Sequence, residues 1–320
     1  MTDVAALCDR LVGGDRRALA RVLTLVEDGA PELRRRVVGL LHPRRRGARL
    51  IGITGPPGAG KSTVTSALVA TLRAAGRSVA VLAIDPSSPL TGGALLGDRI
   101  RMQGHHADAG VYVRSMAARG HLGGLAVAAP EAAMVLDAAG FDDVVVETVG
   151  VGQSEVDVMG LVDAVVLVLA PGLGDSVQAA KAGVLEVADV LVVNKADLGG
   201  AGKLESELHA ALALGHAAGG PAEVPPVVRT VAVRGEGLDE LVAAVDTHVA
   251  GAAPDATRGR RRLRRWLLEQ AAAGFRAELA GPSGPRAAEL DRLVDLVETG
   301  TLDPATAAAR LLPPAAGPDA

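Results

Sequence analysis

Aromatic residues are almost missing from this chain, with one Trp, one Tyr and two Phe in 320 residues. Without rings there is no stacking platform of the kind that single-strand nucleic-acid binders use. The core must instead be built from Val, Leu, Ile and Ala, which suits buried parallel strands flanked by helices. Cysteine is equally scarce. The single Cys8 excludes an internal disulfide and any thiolate cluster for structural zinc or an iron–sulfur centre. Bulk positive charge is lacking too, since 33 Lys and Arg stand against 37 Asp and Glu for a formal net charge of −4. That balance argues against nucleic acid as a partner recruited by charge. No uninterrupted apolar run approaches the ~18 residues of a membrane helix. The opening MTDVAALCDR has no basic segment followed by an apolar one, so no export signal is visible. A cytoplasmic protein that binds neither nucleic acid nor membrane is expected.

What is abundant is small and aliphatic: 49% of the residues are hydrophobic and 40 are Gly. Residues 3–41 carry helical periodicity through Leu7, Leu11, Leu19, Val22, Leu23 and Val26. They end at a basic loop, His42–Gly47, read as a solvated linker. Short apolar strands then alternate with helical stretches. The strands are expected at 50–54, 78–84, 144–148, 164–170, 190–193 and 227–233, and the helices near 61–75, 122–139, 176–187, 203–218 and 238–248. This is the pattern of an α/β fold with a doubly wound, mainly parallel sheet, whose ligands sit at the carboxyl ends of the strands. Three parts are expected: an N-terminal helical arm (1–46), a nucleotide-binding domain (47–251) and a C-terminal helical extension (252–320).

Gly55-Pro56-Pro57-Gly58-Ala59-Gly60-Lys61-Ser62-Thr63 matches G-x-x-x-x-G-K-[ST] directly after an expected strand and opens an expected helix. Glycines let backbone N–H groups turn inward around phosphates, and the helix N-terminus adds positive potential. Lys61 is expected on the β- and γ-phosphates and the Ser62 hydroxyl on Mg²⁺. Asn194-Lys195-Ala196-Asp197 follows the strand 190–193. A carboxylate at Asp197 can accept from both guanine N1–H and the N2 amino group, a donor pair that adenine lacks. The Lys195 stem can lie across the base and Asn194 can tie this loop to the phosphate loop. Backbone N–H groups of Val231-Ala232-Val233 are expected to complete a GTP/GDP site, with valine standing where serine is common. Two carboxylates are candidates for the metal, Asp85 at the end of the strand 78–84 and Glu147 at the end of 144–148. Glu147 leads into Thr148-Val149-Gly150-Val151-Gly152-Gln153, where the Gly150 N–H could sense the γ-phosphate and Gln153 could orient the attacking water.

Several long segments in the same order resemble the MeaB/ArgK family of P-loop GTPases, which includes the methylmalonic aciduria type A protein. They are Gly14–Leu19, Thr91–Met102, Arg114–Leu125, Glu147–Glu155 and Gly172–Gln178, and the likeness extends to the C-terminal helices. The resemblance implies a SIMIBI-type P-loop GTPase fold and a chaperone of an adenosylcobalamin-dependent acyl-CoA mutase, chiefly methylmalonyl-CoA mutase. Such a chaperone gates cofactor loading and protects or reactivates the mutase. A homodimer is implied, with an adenosyltransferase as a further partner. The same resemblance places Asp98 in a first switch near Mg²⁺ and Glu147 in a second. Asp175, Gln178 and Lys181 fall in a third segment that relays the nucleotide state to the mutase. Hydrolysis is expected to proceed by in-line attack of water, slow alone and raised by the partner. Two other readings compete. A nickel metallochaperone would want a His-rich tail or a Cys motif, and an amino-acid-transport-linked kinase would want an ATP preference that Asn194–Asp197 opposes.

Several conspicuous residues read as structural. Cys8 is expected to be a small buried hydrophobe, Met102 and Met116 packing residues, and His105-His106 solvated or capping. The arginines at 258, 260, 261, 262, 264 and 265 read as a helix face, beside which Trp266 offers a subunit or partner surface.

Overall fold

In the computed structural model, residues 3–86, 107–118, 128–148, 162–172, 185, 187–217, 224–251, 256–280 and 286–312 are described. They fall into two compact units, 1–259 and 260–320. The first is built on seven strands: β1 (Arg49–Thr54), β2 (Val79–Pro86), β3 (Val111–Ala118), β4 (Asp143–Thr148), β5 (Ala164–Leu169), β6 (Val190–Asn194) and β7 (Val227–Thr230). They pair in the order β3-β2-β4-β1-β5-β6-β7, and every pairing is parallel. The expected doubly wound sheet is therefore present. Its order turns outward on both sides of β1, the topological arrangement that opens a crevice at the carboxyl ends of the strands.

The aliphatic composition explains why both sheet faces can be covered. Successive residues of β2 and β4 alternate between two cores. Val79, Val81 and Val145 pack on the side of α4 (Lys61–Ala74) and α7 (Leu238–Gly251). Ala80, Leu82, Val144 and Val146 pack on the other side, with the N-terminal helices and α5 (Ala129–Ala139). A third core joins Leu167, Leu169, Leu191 and Val193 to α6 (Ala201–Ala217). Strands buried on both faces read as unbroken Val/Leu runs.

The N-terminal segment, expected as an arm, forms α1 (Val4–Val12), α2 (Arg16–Asp28) and α3 (Pro31–Leu41). The Asp3 and Asp15 carboxylates cap the first two. Their Leu7, Cys8, Leu11, Leu19, Val22 and Val26 lie in the same core as the sheet residues Ala80 and Val144, so residues 1–46 are part of the first unit. Cys8 is fully buried, as is Met116.

The basic loop 42–47 is solvated as expected, with His42, Pro43, Arg45, Arg46 and Gly47 exposed, yet it is not a loose linker. Its backbone is anchored because Asp137 Oδ1, at the end of α5, accepts the N–H groups of Arg46 (2.8 Å), Gly47 (2.8 Å) and Ala48 (3.0 Å). Arg44 adds an ion pair to Asp9. β3 was not expected, and the last strand ends at Thr230 where 227–233 was read. A short 3₁₀ turn, Ala232–Arg234, follows. The second unit begins within α8 (Ala256–Ala280) and continues through α9 (Ala287–Glu298) and α10 (Pro304–Leu311). Leu263, Leu267 and Leu268 of α8 are exposed. Among the described residues, no helix is long and apolar enough to cross a membrane.

Candidate functional site

The loop 55–60 leaves β1 and enters α4 through three positive-φ glycines, Gly55 (142°), Gly58 (81°) and Gly60 (91°). Two of them are also sterically required. A Cβ on Gly55 would overlap the Val168 carbonyl oxygen of β5, and one on Gly60 would lie 2.5 Å from Asn194 Nδ2. The loop is thus pressed between β5 and the end of β6. No side chain caps α4, unlike the aspartate-capped α1 and α2. At such a helix N-terminus the helix dipole favours negative charge. Lys61 is largely buried and its Nζ donates to the Gly55 (2.7 Å) and Pro56 (3.2 Å) carbonyls. Its charge is therefore held over the loop that would surround the phosphates.

Ser62 is buried behind this loop, and its hydroxyl donates to Glu147 Oε1 of β4 at 2.6 Å. Sequence assigned both residues to the metal. A hydroxyl and a carboxylate in contact beside the phosphate loop form the hard-oxygen set that Mg²⁺ takes together with substrate phosphates, so the residues fit the ion. Asp85 is the penultimate residue of β2, in register with Ala117 of β3. Thr63 is exposed on the first turn of α4. Asp98, Gly150, Gln153, Asp175, Gln178, Lys181, Met102 and His105-His106 lie outside the described residues. Among the described residues, no group of three His, Cys, Asp or Glu could hold a metal ion.

The second loop follows β6. Asn194 is buried and acts as a junction. Its Nδ2 donates to the Ala59 carbonyl (2.9 Å), and its Oδ1 accepts from Thr230 Oγ1 (3.1 Å) and the Ala232 N–H (3.2 Å). Lys195 holds a left-handed backbone, φ 57°. Its Nζ donates to the Gly58 carbonyl at 2.8 Å, which lays its stem along the phosphate loop. Asp197 is exposed at the rim.

In the third segment two of the three expected backbone donors are engaged within the protein. Of the backbone donors assigned to the base, Val231 N–H goes to the Glu236 carbonyl (3.0 Å) and Ala232 N–H to Asn194. Val233 is exposed. In their neighbourhood stands a residue that sequence reasoning missed. Arg234 Nη2 lies 3.7 Å from Asp197 Oδ2, and its Nε contacts Glu236 Oε1 at 2.8 Å. A charged residue in a glycine-flanked turn carries no pattern that distinguishes it from a solvated one. Thr230 was missed for a similar reason, being read only as strand.

Phosphate loop, paired Ser62 and Glu147, and an Asn194-centred junction thus meet at one end of the sheet. The family model described as "Methylmalonyl Co-A mutase-associated GTPase MeaB" matches residues 19–279. The chain belongs to the MeaB family. A Pyrococcus abyssi protein designated a GTPase is 53% identical over 245 residues, 76% of this chain and 75% of its own. The mouse mitochondrial methylmalonic aciduria type A homolog is 39% identical over 249 residues, 72% of this chain and 59% of its own. The crystal structure of an LAO/AO transport system kinase has a TM-score of 0.70 and 28% identity, covering 97% of either chain. Like its MeaB-family relatives, this protein is a GTPase and binds guanine nucleotide.

Proposed function

We propose that this MeaB-family GTPase is a cytoplasmic chaperone of a B12-dependent acyl-CoA mutase, methylmalonyl-CoA mutase before its relatives. It gates adenosylcobalamin loading and protects or reactivates the mutase. The observation that carries this reading is the family match over residues 19–279, whose description names methylmalonyl-CoA mutase. The mouse relative, named for methylmalonic aciduria, supports it. A homodimer formed through residues 252–320 and an exchange with an adenosyltransferase belong to the same proposal.

In this reading the loop 55–60 and the N-terminus of α4, which no side chain caps, bind the phosphates, and Lys61 leaves the Gly55 and Pro56 carbonyls to meet the β- and γ-oxygens. Ser62 and Glu147 would hold Mg²⁺, which neutralises charge on the phosphates when bound. Asp197 reads guanine N1–H and N2, the Lys195 stem covers the base, and Asn194 keeps base loop and phosphate loop in register. Asp85 and Asp98 stand near the metal, Gly150 senses the γ-phosphate and Gln153 orients water. Asp175, Gln178 and Lys181 relay the nucleotide state to the mutase.

The test is affinity capture of the tagged full chain from its native cell, loaded with GDP or with a non-hydrolysable GTP analogue. A B12-dependent mutase is expected in the captured fraction, in amounts that depend on the nucleotide. Its absence in both states, with the protein bound to nucleotide, overturns the chaperone reading. The related structure's designation as a transport-system kinase favours one rival, phosphoryl transfer to a transport protein. Capture of such a protein, phosphorylated, would support that rival.

A further inference from the structure

Positive charge is distributed unevenly along this chain. From Leu33 to Ile84 there are nine Arg and one Lys but no Asp or Glu. Several of these cations find acids elsewhere in the fold. Arg34 pairs with Glu131, Arg44 with Asp9, Arg73 with Asp108, and Arg49 and Arg77 with Asp143. What remains is gathered on one side of α3. Glu32, Arg35, Arg36, Gly39, His42 and Pro43 are all exposed. Their spacing of three and four residues puts them in one stripe along α3 and the 3₁₀ turn that continues it. Arg45 joins the stripe, because its Nε donates back to the His42 carbonyl at 3.1 Å. The one acid there, Glu32, pairs with Arg35 in a fully solvated contact of a kind that contributes little.

Gly39 stands in the middle of this stripe. Glycine is a poor residue for a helix interior, and no packing calls for it, since nothing lies within 4 Å of a built Cβ. It leaves bare backbone between Arg35 and Arg36 on one side and His42 and Arg45 on the other. The loop beyond is held by Asp137, so the cations are presented on a fixed frame. Three kinds of polyanion could meet such a strip, and its composition separates them. No leucine, valine, isoleucine or aromatic residue of α1–α3 or of loop 42–47 is exposed, so nothing would insert into lipid. There is no ring to stack on a base, and the whole chain carries a net charge of −4. An acidic protein face remains, whose carboxylates arginine can grip in bidentate fashion while backbone approaches at Gly39.

We propose that the outer stripe of α3, together with Arg45, is a docking surface for an acidic face of the mutase. This rests on the chaperone reading of the protein. The contact is independent of the nucleotide state, because none of its residues belongs to the nucleotide site. Charges at such a surface act chiefly on the rate of association and on its salt dependence.

The test follows binding of the full chain to purified methylmalonyl-CoA mutase by surface plasmon resonance at two salt concentrations. It is run with GDP and with a non-hydrolysable GTP analogue. Wild type should bind more weakly as salt rises. Arg36→Gln combined with Arg45→Gln should weaken binding about tenfold, mainly through slower association and with a flatter salt dependence. The factor should be the same in both nucleotide states. Gly39→Glu should weaken binding further while melting no lower than wild type, since a helix interior prefers Glu to Gly. All variants should bind GDP as wild type does. Equal mutase affinity and salt dependence in wild type and the double variant overturns the proposal. So does a loss by these variants of binding to anionic vesicles or duplex DNA with mutase binding intact. If wild type itself fails to bind the mutase in either state, the chaperone reading falls and this surface falls with it. If wild type binds and the variants bind equally well, only the surface is wrong.

Discussion

Gly60 and Gly76 have nearly the same backbone, φ 91° and 80°, yet they answer to different demands. Around Gly76 nothing lies within 4 Å of a built Cβ, whereas at Gly60 that atom meets the Asn194 amide that ties base loop to phosphate loop. Both alanine variants carry the left-handed penalty of about 1–2 kcal/mol. Only Gly60→Ala must also displace Asn194, and with it the junction to Thr230 and Ala232. Titration calorimetry should find GTP affinity lowered more than tenfold in Gly60→Ala. Gly76→Ala should bind as wild type while melting a few degrees lower. Equal affinities in the two variants would mean that the Asn194 junction is not part of the site. At this scale, residues in a spaced motif were legible because phosphate binding demands glycine at fixed offsets. Arg234 and Thr230 were not, since Arg234 sits in a turn and Thr230 meets Asn194 only through the register of β6 against β7.

Elements were legible where burial on both faces leaves only Val, Leu, Ile and Ala, as in β4, β5 and β6. β3 was not. VYVRSMAA forms an edge strand in which Arg114 turns away to pair with Glu27 of α2, so its polar residues broke the run. The N-terminal helices were legible from their period, but their docking on the sheet was not, because periodicity reveals an apolar face without its partner. The join between helices and sheet rests on Asp137, whose one oxygen takes three successive backbone N–H groups at 46–48. A buried donor left without its acceptor costs about 1–3 kcal/mol. Water entering the gap would recover part of that. Asp137→Ala should therefore destabilise the protein by about 3 kcal/mol in denaturant titration, with GTP affinity in the folded state little changed. A loss under about 1 kcal/mol would show that the segment 46–48 is held by other contacts.

Across the whole molecule, charge is arranged by the ends of the sheet. The carboxyl ends bring together Lys61, Glu147 and Asp197, the residues proposed to meet the nucleotide. At the opposite end, the buried Asp143 pairs with Arg49 and Arg77, and the half-buried Asp246 pairs with the same two arginines. This network clamps the beginnings of β1, β2 and β4 to α7, far in the sheet from the chemistry, so its titration should be read in stability. Burial pushes the Asp143 carboxyl up from 3.8 to about 6, with the Arg77 guanidinium pulling the other way and Asp246 and Asp142 adding to the rise. Between those values the folded chain holds a proton that the unfolded chain has released. The contribution of Asp143 to stability therefore falls as pH rises through that window and is level above about 6. Asp143→Asn carries no such proton. The stability of wild type relative to Asp143→Asn should decline from about pH 4 to about pH 6 and then stay constant in denaturant titrations run on both proteins. A difference that grows over that interval would mean that the two arginines outweigh burial and that the carboxylate is charged throughout. Replacing Asp143 should in either case leave the GDP dissociation constant of the folded protein unchanged at neutral pH, because the network and the proposed nucleotide site lie at opposite ends of the same strands.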